Sequence, residues 1–318
     1  MSEGVTERQG TGKARLAGRR SPEKQGGSDR EETRMKRIVI LGGDERQRYL
    51  TEALREAGYP VVPAGMPWDV PQEQTDLFAL LRNASAVVLP LPATRDGETV
   101  SGLRTKEGSL SFRTLAEAVP PDTRILGGAI PAEWRRAAEA RGLAMDDYYD
   151  PAVQLRNALP TAEGAIRLAM EALPVTLGGT TFAISGSGRI AGLLAGRLSA
   201  LGANVVVLAR DPLARISLGF DRVKTLPLTD EGLRSIPADC RLLFNTVPAR
   251  VLTPDRVALL PRNCILMELA SAPGGFDPLA AGAAGYRVIP AGGLPGKFFP
   301  ESAGKILAQA IAEAIGDP

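Results

Sequence analysis

The sequence predicts an α/β protein of two doubly wound domains with a cleft between them. Three observations carry this. Short apolar runs alternate with amphipathic stretches along most of the chain, the pattern of parallel strands joined by crossover helices. The length of 318 residues is about twice that of an average domain. The 35 glycines and 25 prolines fall between the apolar runs rather than in one tract, so they punctuate many short elements.

The first 34 residues are polar, glycine-rich and mixed in charge, the composition of a disordered tail. Met35, directly before the first strand, is a candidate start. A short run from Lys36 to Leu41, apolar from Ile38 on, stops at Gly42-Gly43; an amphipathic stretch from Asp44 to Ala57 is closed by Gly58. Strand, tight turn and helix are expected, with Asp44 as N-cap. Further strands are expected at 59–62, 85–90, 123–126 and 143–145, and helices at 72–82 and 132–140. Pro160-Thr161-Ala162-Glu163 reads as the start of a connecting helix that ends at Pro174, with Thr161 as its cap and Glu163 in the first turn, where the helix dipole favours an anion. A second unit follows, with strands at 180–184, 203–208, 241–245, 265–269 and 286–289. A last helix is expected at 302–315. This divides the chain into a tail (1–34), an N-terminal α/β substrate domain (35–159) and a dinucleotide-binding domain (160–299). The C-terminal helix within 300–318 packs back onto the first domain.

Composition narrows the function. The net charge of +2 is made of interspersed acids and bases, which argues against nucleic acid and membrane surfaces as partners. There is no histidine, which removes imidazole acid/base chemistry, Ser-His-Asp triads and imidazole metal ligation. Cys240 and Cys264 have no metal-type spacing and lie in or beside apolar runs, so buried free thiols and no metal site are expected. No apolar run reaches the roughly 18 residues of a membrane helix, and the N-terminus lacks the apolar segment of a signal peptide. A cytoplasmic location is expected.

Gly186, Gly188 and Ala191 form G-x-G-x-x-A between an expected strand and an expected helix. The first glycine permits a tight turn, the second lets backbone approach a pyrophosphate, and the small third residue lets helix pack on strand. This makes the second domain a Rossmann dinucleotide-binding domain, with Gly186, Ser187, Gly188, Arg189 and Ile190 around the phosphates. NAD sites place an acid at the end of the next strand. Here Ala209-Arg210 stands there, and an arginine suits a 2′-phosphate, so NADP is expected over NAD. Asp211 either repels that phosphate or caps the next helix. Asn245-Thr246-Val247-Pro248 and the loop containing Ala270 and Ser271 follow two later strands, at the sheet edge where the nicotinamide half belongs.

The chain resembles the family of dipicolinate synthase A subunits. The resemblance rests on Leu41-Gly42-Gly43-Asp44-Glu45-Arg46-Gln47, Leu89-Pro90-Leu91-Pro92-Ala93-Thr94, Asn157-Ala158-Leu159-Pro160-Thr161-Ala162-Glu163-Gly164, the dinucleotide turn with Ala209-Arg210, Asn245-Thr246-Val247-Pro248, Ala270-Ser271-Ala272-Pro273-Gly274-Gly275, and Leu294-Pro295-Gly296-Lys297 with Ser302-Ala303-Gly304-Lys305-Ile306-Leu307. It implies a fold like that of two-domain dehydrogenases. It also implies oxidation of a dihydrodipicolinate-type ring to dipicolinate, the spore-core metabolite made during sporulation, together with a flavoprotein-like B subunit; with the NADP read from Arg210, the expected activity is NADP-dependent. Departures are Ser185-Gly186-Ser187 in the dinucleotide turn, Asp211 after Arg210, and the N-terminal tail. The alternatives are an NAD(P)-dependent dehydrogenase of another small acid, or a non-catalytic partner subunit that binds a dinucleotide. In each case a homo-oligomer is expected.

A dicarboxylate substrate needs cations or helix N-termini. Arg46, Thr161, Lys297 and Lys305 are the candidates for carboxylate contact, beside Thr94 and Arg95 at the end of another strand. Asp44 and Glu163 are the candidates for taking the proton.

Overall fold

The computed structural model describes residues 37–66, 76–105, 108–219 and 223–318. The expected tail (1–34) and the start of the helix expected at 72–82 lie outside them. The chain runs β1 (Arg37–Leu41), α1 (Arg46–Glu56), β2 (Val61–Ala64), α2 (Leu77–Arg82), β3 (Ala84–Val88), α3 (Phe112–Ala118), β4 (Arg124–Gly127), α4 (Ala132–Glu139) and β5 (Ala144–Asp147), then the long α5 (Pro151–Ala172). It continues as β6 (Thr181–Ser185), α6 (Arg189–Ala200), β7 (Asn204–Ala209), α7 (Pro212–Gly219), β8 (Lys224–Pro227), α8 (Asp230–Arg234), β9 (Leu242–Asn245), α9 (Pro254–Val257), β10 (Ile265–Glu268), α10 (Pro278–Ala283), β11 (Val288–Pro290), α11 (Leu294–Phe298) and α12 (Pro300–Ile315).

Two sheets result, with orders β2-β1-β3-β4-β5 and β11-β10-β9-β6-β7-β8, and the paired strands are parallel. Helices cover both faces, so the central strands are buried on both sides and read as continuous apolar runs. Ile38 to Leu41 and Thr181 to Ser185 are buried throughout. In each sheet the order reverses beside the first strand, at β1/β3 and at β6/β9. Open α/β sheets bind ligands in the crevice outside such switch points, at the carboxyl ends of the strands.

Both sheets lie within one compact unit, Lys36–Pro318. The C-terminal helix completes the first sheet's core: Leu307, Ala308 and Ile311 of α12 pack with Leu50 and Leu54 of α1 and Ile38 and Ile40 of β1. Tyr59 donates to the Gly316 carbonyl at 2.6 Å, and Arg124 donates to the carbonyl of Ala314. Cys240 and Cys264 are buried free thiols in the second domain's core, their sulfurs 4.0 Å apart.

Four local expectations are corrected. The helix expected to open at Pro160 is α5, which starts nine residues earlier at Pro151, with Asp150 as N-cap accepting from the Val153 N–H at 2.8 Å and proline in the first turn. Pro160 sits in its interior. Thr161 is therefore no cap; its hydroxyl donates to the Asn157 carbonyl one turn back at 2.8 Å. Glu163 is far from the first turn and pairs instead with Arg197 of α6 at 3.2 Å on the exposed surface. The cause is burial: Ala158, Pro160, Ala162, Ala165 and Ala169 are all inside, and tertiary packing carries the helix through its proline. Asp44 is not the N-cap residue of α1 either, although its carboxylate accepts from the Arg46 N–H that opens the helix at 3.1 Å. The N-cap is Glu45, without a side-chain bond, and the Asp44 carboxylate takes the Arg46 guanidinium as well as its N–H.

Candidate functional site

The second switch point is built on β6. Ser185 ends the strand buried, and Gly186 turns the chain with φ +115° while its N–H donates to the Leu208 carbonyl at 2.8 Å. A Cβ on Gly186 would lie 2.3 Å from the Thr246 hydroxyl, so glycine is required twice, by conformation and by contact. Thr246 fastens the loop after β9 to this turn: its N–H and its hydroxyl both donate to the Ser185 carbonyl at 2.9 Å. Gly188 is the N-cap of α6 and offers no side chain. A Cβ there would meet nothing within 4 Å, so open space lies before the helix N-terminus, where the first-turn N–H groups have no helical partner. Ala191 is buried beneath. Free N–H groups facing open space at a helix N-terminus are what a diphosphate needs. Ser187, Gly188 and Arg189 are exposed around it, Ile190 is half-buried, and the Arg189 guanidinium reaches across to the side-chain oxygen of Gln154 on α5.

At the end of β7, Ala209 is buried and Arg210 exposed. Asp211 caps α7: its carboxylate accepts from the N–H groups of Leu213 at 3.0 Å and Ala214 at 3.3 Å.

The loops after β9 and β10 are braced by Glu268, which the sequence reading did not single out. Its Oε1 accepts from Asn245 Nδ2 at 2.6 Å and from the Ala270 N–H at 2.9 Å, and its Oε2 from the Gly275 N–H at 2.8 Å. Asn245 is fully buried; its Nδ2 also donates to the Val247 carbonyl at 3.0 Å, and its Oδ1 accepts from the Val247 N–H at 3.3 Å. Pro248 and Ser271 are exposed and Ala270 half-buried beside this framework. The available signal was an acid closing an apolar strand.

The first switch point holds Asp44 and Arg46. Arg46 Nε and Nη2 donate to the two Asp44 oxygens at 2.8 Å each, the Arg46 N–H adds 3.1 Å, and Nη2 also donates to the Leu91 carbonyl in the loop after β3. Burial pushes the Asp44 carboxyl up, but the hydrogen bonds and charge of Arg46, with a contribution from Arg95, outweigh it and hold it below the ordinary carboxylate value. Burial likewise works against the Arg46 charge, and the Asp44 bonds more than restore it. The pair is thus an ionised unit. Arg95 stands exposed near it, without a hydrogen bond among the described residues.

Gly296 of α11 presses on this pair: a Cβ there would lie 2.8 Å from Asp44 Oδ2 and 2.9 Å from Arg46 Nε. On its other side α11 meets α5, where a Cβ on Gly164 would lie 2.9 Å from the Leu294 Cβ. Gln154, Asn157, Thr161 and Gly164 share one face of α5 by helical spacing. That face therefore runs from the dinucleotide turn, through Arg189, to α11. On it Asn157 is buried with no hydrogen-bond partner for Oδ1.

Asp44, Arg46, Thr161 and Lys297 are thereby brought onto elements that meet here, while Glu163, on the same α5, and Lys305, on α12 beside α1, stand on exposed faces paired with Arg197 and Glu301. Lys297 is exposed with its ammonium 4.9 Å from the centre of the Phe298 ring. Lys305 lies on the exposed face of α12 in a 2.6 Å pair with Glu301, whose hydrogen bond raises its pKa. Among the described residues no group of acids and thiols is arranged to hold a metal, and no helix is long and apolar enough to cross a membrane.

Residues 37–149 match the family model of the N-terminal domain of dipicolinate synthase A subunits. The dipicolinate synthase A subunit of Bacillus subtilis (strain 168) is 28% identical over 298 residues, covering 88% of this chain and 96% of the relative. The crystal structure of the dipicolinate synthase A subunit from Bacillus halodurans is similar with a TM-score of 0.76 at 26% identity, covering 89% of this chain and 98% of that one. The D-lactate dehydrogenase of Escherichia coli, at TM-score 0.56, 13% identity and coverage of 88% and 96%, shares the fold alone. The resemblance read from the sequence holds across both domains: the chain is a relative of the dipicolinate synthase A subunits.

Proposed function

We propose that this chain is the A subunit of a dipicolinate synthase, an oxidoreductase that takes NADP in preference to NAD and oxidises a dihydrodipicolinate-type ring to dipicolinate. The single observation that carries this is the open turn Gly186–Gly188 at the switch point of a Rossmann-type sheet, joined through Arg189, α5 and α11 to the Asp44–Arg46 unit of a domain matched to the dipicolinate synthase family. The residues fit a dinucleotide. The α6 N-terminus would hold the diphosphate, Arg210 the 2′-phosphate, and Asn245, Thr246, Val247, Pro248, Ala270 and Ser271 the nicotinamide half.

A bound nicotinamide would supply the hydride acceptor. The ring gives up one hydride and one proton, and aromaticity drives the loss. The chain therefore needs chiefly to bind a dianion and hold its ring at the cofactor loops. Arg95 and Lys297, both exposed near the Asp44–Arg46 unit or on α11 beside it, supply cations for the carboxylates. The Arg46 charge is spent on Asp44, so Arg46 orients the unit and adds field. Asn157, buried with an unpaired amide oxygen, receives a ring N–H. Asp44 is the one predicted acid at this edge; held below its ordinary pKa, it is a weak base and passes the proton on to water. Thr161 keeps α5 in register. The same reading places the protein in the cytoplasm of a sporulating cell, self-associated and partnered by a flavoprotein-like B subunit.

The test is the purified chain, with and without its B subunit, given dihydrodipicolinate and NADP while the ultraviolet absorbance of dipicolinate and the reduced cofactor are followed. Formation of both in equal amounts is expected. Oxidation of another small acid with no dipicolinate formed defeats the substrate; cofactor binding without turnover under both conditions makes the chain a non-catalytic subunit.

A further inference from the structure

The end of β7 carries a second cation that the dinucleotide motif does not contain. Arg215, half-buried on α7, donates from Nη1 to the carbonyls of Ala209 at 2.8 Å and Arg210 at 3.0 Å. Its guanidinium therefore lies across the strand end that chooses between a ribose hydroxyl and a 2′-phosphate. Both Nη1 hydrogens are used, while Nε and Nη2 make no hydrogen bond among the described residues. They form one edge of a planar fork, the geometry that takes two phosphate oxygens at once. Arg210, next to it, is exposed and makes no side-chain hydrogen bond among the described residues. The acid beside them, Asp211, has both oxygens turned into the first turn of α7, and that removes the objection it raised to an anionic ligand.

We infer that Arg215 is the fixed arm, and Arg210 the free arm, of a clamp for the 2′-phosphate of the cofactor; this rests on the cofactor reading above. The fixed arm loses little freedom on binding, because its fork is already placed by two backbone carbonyls. α7 buries none of its own residues, so Arg215 also anchors that helix to the sheet.

The test is calorimetric titration of the full chain with 2′,5′-ADP, which carries the phosphate, and with ADP, which lacks it at that position. Wild type is expected to favour 2′,5′-ADP by about tenfold or more, the scale of a charge-assisted pair. Arg215→Met is expected to abolish most of that preference while changing ADP affinity by less than about twofold. Equal weakening toward both ligands would make Arg215 a staple of the turn only, and an unchanged preference would exclude it from the phosphate site; either overturns the inference. Should Arg215→Met not fold, Arg215→Lys keeps the charge without the fork and is expected to lose most of the preference, and its full retention again overturns the clamp. A wild-type chain with no preference sinks the NADP reading and the clamp together, and is recognised before any variant is made.

Discussion

Glu268 Oε1 accepts a hydrogen bond from Asn245 Nδ2 at 2.6 Å, joining the ends of β9 and β10 beneath the loops assigned to the nicotinamide. The same carboxylate holds the N–H groups of Ala270 and Gly275. Glu268→Ala leaves two backbone donors without their acceptor and takes from the buried Asn245 amide one of its two acceptors. A loss of about 2 kcal/mol in urea unfolding is expected, with cofactor affinity reduced alongside. Wild-type stability in this variant would show that the brace is not needed.

The Asp44–Arg46 unit gives an acid dependence with a defined sign. The folded Asp44 pKa lies below its ordinary value of 3.8. Its contribution is therefore present above that value and lost as pH falls through the folded pKa. Asp44→Asn is expected to lower stability at pH 7 by about 2 kcal/mol, discounted because the Asp44 side chain is about one-third exposed. The gap between variant and wild type closes on acidification below about pH 4. A gap of constant size in unfolding curves across that range contradicts the ion pair's role.

Gly296→Ala puts a methyl group into the contact with Asp44 and Arg46. Overpacking of this kind costs about 1–3 kcal/mol. Turnover is expected to fall while affinity for NADP holds, since the dinucleotide turn is untouched. Steady-state kinetics beside a binding titration decide it; equal losses in both would spread the effect through the fold.

Asn157→Ala separates function from stability. Because Asn157 Oδ1 has no partner in the folded chain, its removal is expected to be near neutral in thermal unfolding. The same change is expected to lower kcat/KM by about tenfold to a hundredfold. Unchanged kinetics would remove Asn157 from the site.

Much of the architecture was legible because parallel strands buried on both faces leave continuous apolar runs, as at Ile38–Leu41 and Val205–Leu208. The turn at Gly186 was legible because its chemistry is local. The connecting helix was misread at its start because Pro160-Thr161-Ala162-Glu163 has every local mark of an N-terminus, while burial of a small-residue face decides that it is an interior. Asp44 was read one position early and in half its role: it accepts the first N–H of α1, and it also pairs with the Arg46 guanidinium, which is held in turn by the Leu91 carbonyl. Asn157, Glu268 and Arg215 escaped residue-level reading altogether, since each takes its meaning from a partner on another element or from the lack of one.

The central claim is that a diphosphate lies against the N-terminus of α6, and Gly188→Glu tests it most directly. Gly188 has φ −81° and open space where a side chain would begin, so the variant is expected to fold with wild-type unfolding behaviour. Its carboxylate would stand where the diphosphate belongs. Calorimetric titration with NADP should show binding by wild type and at least a hundredfold loss in the variant, roughly 2.7 kcal/mol; equal affinity in the two proteins would contradict the account.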